Sequence, residues 1–328
     1  MQEKYFKPFC KKEEIETPAL LIDMDKIEKN IKIAMDHYNS VKANIRPHFK
    51  AHKCPTLALK QIEAGAIGMT CAKVGEAEVL VKAGVKSILI ANEIVSESKI
   101  KRLALLERHA DVITSVDSLK NVQDISRIAC EVGVKIGVVI EIDVGLHRCG
   151  VKSIEEGVAL AKEIVKLPGV VFRGVMGYEG HCNKYIELKK RTEEVVIANA
   201  LLADFKKAVE AAGIPVEIVS AGGTCMFDIT TRNPEITEVQ AGAYLLMATK
   251  WSDLEGMPFE QAETILSTVI SVPNSEYVTI DAGIKCYSTE AGPPSVKDHK
   301  GMEIVKISEE HTTFKLHEGA PKFKVGDK

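Results

Sequence analysis

The chain lacks paired cysteine motifs, long apolar runs and any marked excess of charge of one sign. Each absence removes a class of protein. The eight cysteines (10, 54, 71, 130, 149, 182, 225 and 286) stand singly. They form neither a zinc spacing nor the dense disulfide framework of a small secreted domain, so the chain reads as reduced and cytoplasmic. No apolar stretch approaches the ~20 residues that cross a bilayer. The leader MQEKYFKPFCKKEEIE is too charged for a signal peptide, and no membrane partner is expected. A net charge of −3 offers no basic footprint for nucleic acid. No Gly-x-Gly-x-x-Gly follows the first strand-like segment, which argues against a dinucleotide-binding sheet.

What is present is a large apolar fraction, 45% of 328 residues, enough for one barrel-sized unit or two domains. After a short strand at 17–23 and a helix, one unit repeats. Apolar, β-branched runs at 44–49, 68–72, 87–91, 111–116, 135–143, 170–178, 216–220 and 238–246 alternate with amphipathic helices. The longest helix spans about 186–212. Short apolar runs bounded by glycine and separated by helices are the signature of buried parallel strands. Eight of them fit closure into a (β/α)8 TIM-type barrel better than an open doubly wound sheet. Beyond Trp251 the helices stop. Strands at 264–272, 277–281, 303–307 and 312–316, joined by short turns, predict an appended antiparallel β domain. The expected division is a barrel over 25–247 and a β domain from 1–24 with 248–328. The last residues, Val325 to Lys328, read as a turn before a further strand, so the natural C-terminus is expected to lie beyond them.

In such a barrel, chemistry sits at the C-terminal ends of the strands. Those ends carry His48 and Lys50, then Cys71 and Lys73, Asn92 and Glu93, and Glu141, Asp143, His147 and Arg148. Tyr178, Glu179 and His181 follow, and then Ser220 to Thr224 and Gln240 to Tyr244. The stretch Asn44-Ile-Arg-Pro-His-Phe-Lys-Ala-His-Lys53 packs two imidazoles, two ammoniums and a guanidinium into ten residues. Such a cluster points to a bound anion and to a lysine held partly neutral as a nucleophile. The glycine loops at Ala221-Gly-Gly-Thr224 and Ala241-Gly242 bring backbone close to a ligand, at the two loops where barrels commonly hold a phosphate. A phosphate on one side and a nucleophilic lysine on the other fit pyridoxal 5'-phosphate bound as a Schiff base. Lys50 is preferred over Lys53, because it ends the strand while Lys53 begins the helix.

Several motifs together resemble the D-threonine aldolase/D-serine dehydratase family, fold type III pyridoxal-phosphate enzymes with the alanine racemase-like fold. They are Arg46-Pro-His48-x-Lys50-x-His52-Lys53, Gly68-Met-Thr-Cys-Ala-Lys-Val-Gly-Glu-Ala-Glu78, Glu141-Ile-Asp143-Val-Gly145-x-x-Arg148-Cys-Gly150, Ser220-x-Gly-Gly-Thr224 and Asp281-Ala-Gly-x-Lys285. The resemblance implies Lys50 as the Schiff-base lysine, with His48 and His52 flanking it on the substrate side. It implies Arg148 beside the cofactor ring and Tyr178 near its pyridine edge. Gly222, Gly223, Thr224, Ala241 and Gly242 would hold the phosphate, and His181 would be a base. A divalent metal (Mn, Mg or Zn) is implied as well. Its family ligands match no residue here and are expected beyond residue 328, so no metal ligand is named.

The implied activity is retro-aldol cleavage of a D-3-hydroxy amino acid to glycine and an aldehyde. Dehydration of D-serine or 3-hydroxy-D-aspartate uses the same parts and stays open. Racemisation, which wants a second acid/base on the opposite face, and a non-catalytic pyridoxal-phosphate carrier, which needs no β domain, fit less well. The partner is a small D-amino acid, and either a monomer or a homodimer is compatible.

Overall fold

The computed structural model describes residues 10–289 and 292–328. The chain divides into two compact units. One comprises Glu28–Leu246 with Asp253–Glu260, and the other holds the remaining described residues. In chain order the elements are β1 (Ala19–Ile22), α1 (Met24–Tyr38), β2 (Asn44–Ile45), α2 (Pro55–Glu63), β3 (Met69–Cys71) and α3 (Val74–Lys82). Then come β4 (Ser87–Glu93), α4 (Glu97–Leu106), β5 (Asp111–Val116), α5 (Leu119–Val132), β6 (Ile136–Glu141) and α6 (Ile154–Ile164). β7 (Val170–Met176), α7 (Leu188–Ala211), β8 (Ile218–Ala221), α8 (Phe227–Thr230), β9 (Glu238–Val239) and α9 (Thr249–Ser252) follow. The chain ends with β10 (Glu263–Leu266), β11 (Val269–Asn274), β12 (Tyr277–Ile280), β13 (Met302–Ile307) and β14 (Thr312–Leu316).

The larger unit is the expected barrel. Its sheet runs β2-β9-β8-β7-β6-β5-β4-β3, and every pairing is parallel. The two ends of the sheet meet: Ile67 N–H donates to Ile45 O (3.0 Å) and Thr70 N–H to Pro47 O (2.8 Å). A parallel bridge joins His48 to Thr70. Strands covered on both faces are largely apolar, and all six residues of β6 are buried. The helices turn one stripe inward, as with Val122, Ile125, Ile128 and Ala129 of α5. Leu89, Ile113, Val139, Met176 and Ile218 form an apolar layer within the sheet.

Two strands are shorter than their apolar patterns predict. The ladder of the 44–49 segment covers only Asn44–Ile45, because Pro47 has no N–H to donate and residues 49–51 curl into a 3-10 turn. Lys50 therefore sits in that turn rather than at the end of a strand. Likewise the 238–246 segment is a strand only at Glu238–Val239, and Ala243–Leu245 form a 3-10 turn whose Tyr244 and Leu245 are buried. Its apolar side chains reflect burial, not extension.

Arg46 is buried at the start of the barrel strands. Its Nε donates to both carboxylate oxygens of Glu238 (2.9 and 3.1 Å), and Nη1 donates to Ser87 Oγ (2.8 Å). Glu238 and Ser87 are the first residues of β9 and β4, so this network closes the end of the barrel opposite the strand C-termini. Within the same unit Asp253–Glu260 is tied down through Asn30, which accepts from Glu260 N–H (2.8 Å) and donates to Glu260 O (2.8 Å).

In the second unit, β1 and β10 pair antiparallel, Ala19 opposite Leu266. A four-stranded antiparallel sheet runs β11-β12-β14-β13 around Val269, Val278 and Phe314. The predicted single strand at 264–272 is thus two strands in different sheets. Between them Thr268 turns its N–H to Asp281 Oδ1 (2.7 Å), and Asp281 Oδ2 accepts from Thr17 Oγ1 (2.6 Å). Asp281 of the Asp-Ala-Gly-x-Lys motif is here a structural acceptor. All eight cysteines are free thiols. Among the described residues no helix is long and apolar enough to cross a membrane.

Candidate active site

The 3-10 turn that carries Lys50 is held by its neighbour. His48 Nδ1 accepts the Lys50 N–H (3.3 Å), which leaves the imidazole proton on Nε2. Burial, with Lys50 and Arg148 nearby, pushes His48 down to about 3, so the ring is a neutral donor. His52 is committed elsewhere. Its Nδ1 accepts from Cys54 N–H (3.1 Å), so its Nε2–H faces Gln61 Oε1 (3.2 Å), and Gln61 donates on to the Tyr244 hydroxyl (2.9 Å). His52 has no nitrogen left for chemistry. Lys53 is largely exposed and pairs with Glu76 at 3.1 Å.

Lys50 forms no ion pair among the described residues. Its Nζ lies 5.7 Å from the centre of the Tyr178 ring, and the Arg148 guanidinium carbon lies 5.9 Å from the same centre. Protein around the ammonium pushes the Lys50 pKa down, and Arg148 adds to it. That is the direction a nucleophilic amine needs. The side chain still opens to solvent at the mouth.

The glycine loops form a cradle beside Tyr178. Gly222 has φ +75°, and its N–H donates to Glu179 Oε2 (3.0 Å), while Thr230 Oγ1 donates to Glu179 Oε1 (2.5 Å). Gly222 thus supplies the turn, its own N–H being taken. A Cβ on Gly223 would lie 3.2 Å from the Tyr178 ring. Thr224 Oγ1 accepts the Tyr244 N–H (2.9 Å), which leaves the hydroxyl proton free to donate. A Cβ on Gly242 would meet His48 O at 2.4 Å, so Ala241-Gly242 lies directly against the backbone that carries Lys50. Glu179 is the residue the sequence pattern places at the mouth without a role. It is fully buried, with its pKa raised by desolvation, and it anchors the cradle turn. A lone buried carboxylate has no periodicity that would reveal it.

The remaining predicted residues lie on the loops after β6 and β7. Asp143 Oδ1 accepts the N–H groups of Gly145 (3.1 Å) and His147 (2.9 Å), and its Oδ2 lies 2.9 Å from His147 Nδ1. A Cβ on Gly145 would lie 3.0 Å from the His181 ring. Burial lowers the His181 pKa, and the charges acting on it are Lys184, Glu194, His147 and Asp143. His181 therefore packs against the loop after β6. Arg148 Nη2 is 3.6 Å from Glu141 Oε1. Glu93, Glu141 and Cys149 have their ligand atoms within 4.8 Å of one another. Three buried polar atoms near these loops have no hydrogen-bond partner among the described residues: Glu93 Oε1, His181 Nδ1 and Asn183 Oδ1. Asn183 also donates to the Tyr178 hydroxyl (3.2 Å).

Residues 22–250 match the family described as "Alanine racemase, N-terminal domain", and residues 262–328 match "Putative serine dehydratase domain". The chain belongs to the alanine racemase-like family. Within it, a D-threonine aldolase from Arthrobacter sp is 34% identical over 311 residues, spanning 93% of this chain and 82% of that one. A 3-hydroxy-D-aspartate aldolase from Paracoccus denitrificans (strain Pd 1222) is 32% identical over 331 residues, 98% and 85% of the two chains. The crystal structure of D-threonine aldolase from Filomicrobium marinum superposes with a TM-score of 0.92 at 31% identity, covering 94% of this chain and 84% of that one. The site of this family member fits the pyridoxal phosphate that its fold implies. A depressed lysine faces an aromatic ring, a guanidinium sits beside that ring, and a loop with a free hydroxyl stands where a side chain would fill the space.

Proposed function

We propose that this chain is a pyridoxal-phosphate-dependent lyase that cleaves D-3-hydroxy amino acids of the D-threonine type into glycine and an aldehyde. The observation that carries the reading is the position of Lys50. It lies in a turn braced by His48 and Gly242, with Tyr178 and Arg148 across from it. Its similarity to two aldolases supports carbon–carbon cleavage over dehydration.

Lys50 would hold the cofactor covalently, Arg148 and Tyr178 would flank its ring, and Gly223, Thr224, Ala241 and Gly242, on the turn made by Gly222, would hold its phosphate. When bound, pyridoxal phosphate supplies an aldehyde for the substrate amine and a ring that takes up the electron pair of the breaking bond. The protein does the rest. Lys50, with its lowered pKa, gives up its place to the substrate amine and takes it back at the end of the cycle. His48 offers an Nε2–H at every pH above about 3 and so orients an oxygen rather than removing a proton. His181, its pKa lowered by burial, is the proposed acceptor of the substrate's hydroxyl proton.

The divalent metal expected from the resemblance finds no fitting donor set among the described residues. The one cluster, Glu93, Glu141 and Cys149, has the Arg148 guanidinium 3.6 Å from Glu141, which repels a cation. No step is assigned to a metal.

The test is incubation of the protein and its Lys50→Ala variant with D-threonine and with D-serine, with and without manganese. Glycine and acetaldehyde from D-threonine, lost by at least ~10³-fold in the variant, is the expected result. Ammonia with 2-oxobutyrate or pyruvate would replace the aldolase reading with the dehydratase one, and an active Lys50→Ala enzyme would end both.

A further inference from the structure

Behind Arg148 lies a group that the reaction above does not use. Glu93 ends β4 and Glu141 ends β6, on either side of β5, and Cys149 follows in the loop after β6. Their ligand atoms lie within 4.8 Å of one another. Glu141 is buried, and Glu93 Oε1 is a buried acceptor that no N–H or O–H of the described residues reaches. Among the described residues the cation against the pair is Arg148, at 3.6 Å from Glu141 with its own side chain about half exposed (53%). From the loop after β5, Asp117 adds a further negative charge, although its Oδ2 is engaged by the Gly150 N–H (3.1 Å). Two ionised carboxylates this close and this buried repel each other strongly.

We propose that Glu93 and Glu141 share a single proton and act as one positioning unit for Arg148, presenting it with one negative charge rather than two. One proton between them gives Glu93 Oε1 the donor it otherwise lacks and removes the repulsion. The titration agrees with the geometry: burial, then Glu93, pushes Glu141 up to about 8, and burial pushes the Cys149 thiol up to about 11. The thiol stays protonated and joins the cluster as a weak donor. A bound cation is the poorer explanation of the cluster, because the fixed guanidinium of Arg148 already occupies the electropositive position.

The consequence rests on the proposed pyridoxal-phosphate reading. Arg148 is shared between Glu141 on one side and the Tyr178 ring, near Lys50, on the other. When the shared proton leaves, as pH rises through about 8, the second charge draws Arg148 toward Glu141 and away from the ring. Glu93 and Glu141 are thus positioning residues, and Arg148 is the group that meets the cofactor.

The dyad is tested first without cofactor. Infrared difference spectra between pH 7 and pH 9.5 are compared for the wild-type apoprotein and the near-isosteric Glu93→Gln and Glu141→Gln variants, each checked for folding by circular dichroism. The expected result is a protonated-carboxyl C=O band that the wild type loses on alkalinisation, that is missing from the difference spectrum of folded Glu141→Gln and that is altered in folded Glu93→Gln. Identical difference spectra in wild type and variants would overturn the proposal. Pyridoxal-phosphate affinity is then measured at pH 7 and pH 9. The wild type should weaken on the order of tenfold more than Glu141→Gln, in which position 141 carries no charge at either pH. Equal pH dependence in the two proteins would also overturn it. Failure of any cofactor to bind would refute the functional reading alone, since the infrared result decides the dyad independently.

Discussion

Arg46 and Lys50 stand four residues apart on one segment, at the two ends of the same barrel, and their surroundings differ in kind. At the closed end Arg46 is 4% exposed and fully answered, with two bonds to Glu238 and one to Ser87. The packing is tight enough that a Cβ on Gly68 would lie 2.4 Å from its Nη1. At the mouth Lys50 forms no ion pair among the described residues, and Glu93, His181 and Asn183 each leave a buried polar atom without a partner. Buried polar groups are costly unless paired. The paired end is read as structural, and the end with open polar atoms is the proposed ligand site.

The comparison can be broken from the closed end. Replacing Arg46 with Met leaves Glu238 buried and unpaired, and should lower unfolding stability by roughly 3–5 kcal/mol, read by urea denaturation. An added Glu238→Leu should restore most of that loss. Recovery in the double variant separates a paired structural charge from a functional one, because no second substitution should rescue Lys50→Ala. A smaller effect is expected at the junction between cradle and turn. Gly242→Ala forces a methyl against the His48 carbonyl and should weaken pyridoxal-phosphate binding roughly tenfold, with a stability cost of about 1–3 kcal/mol. Both can be measured by cofactor titration and thermal unfolding. Smallest of all is Lys53→Ala. Its ammonium is exposed, and the largely buried Glu76 keeps the Ala72 N–H as a donor, so kcat/KM should stay within about twofold and stability within about 0.5 kcal/mol. A large loss at Lys53 would blur the distinction drawn between the two lysines of the motif.

Much of this was legible in the residues because burial leaves a pattern. The continuous apolar run of Ile136–Ile140 marks a strand covered on both faces, and its repetition between amphipathic helices marks the barrel. Lys50 was singled out because its neighbours are charged where a strand run ends. Pairings across long separations were not. Arg46 meets Glu238 across 192 positions, and nothing local to either residue announces the other. Segments whose apolar side chains are buried in turns also misled. Tyr244 and Leu245 read as strand while belonging to a 3-10 turn. The β-branched run 264–272 hides the break at Thr268, where a backbone N–H leaves one sheet to meet Asp281. Glu179 and the Glu93–Glu141 pair depend on which loops converge, and that is decided only when the sheet closes.

The central claim is that Lys50, alone among the lysines at the mouth, carries the cofactor. Borohydride reduction of the protein loaded with pyridoxal phosphate, followed by proteolysis and mass mapping, tests it directly. The account predicts one pyridoxyl group per chain, on Lys50, with Lys53 unmodified. A label on Lys53 or Lys73, or none retained after reduction, would contradict it.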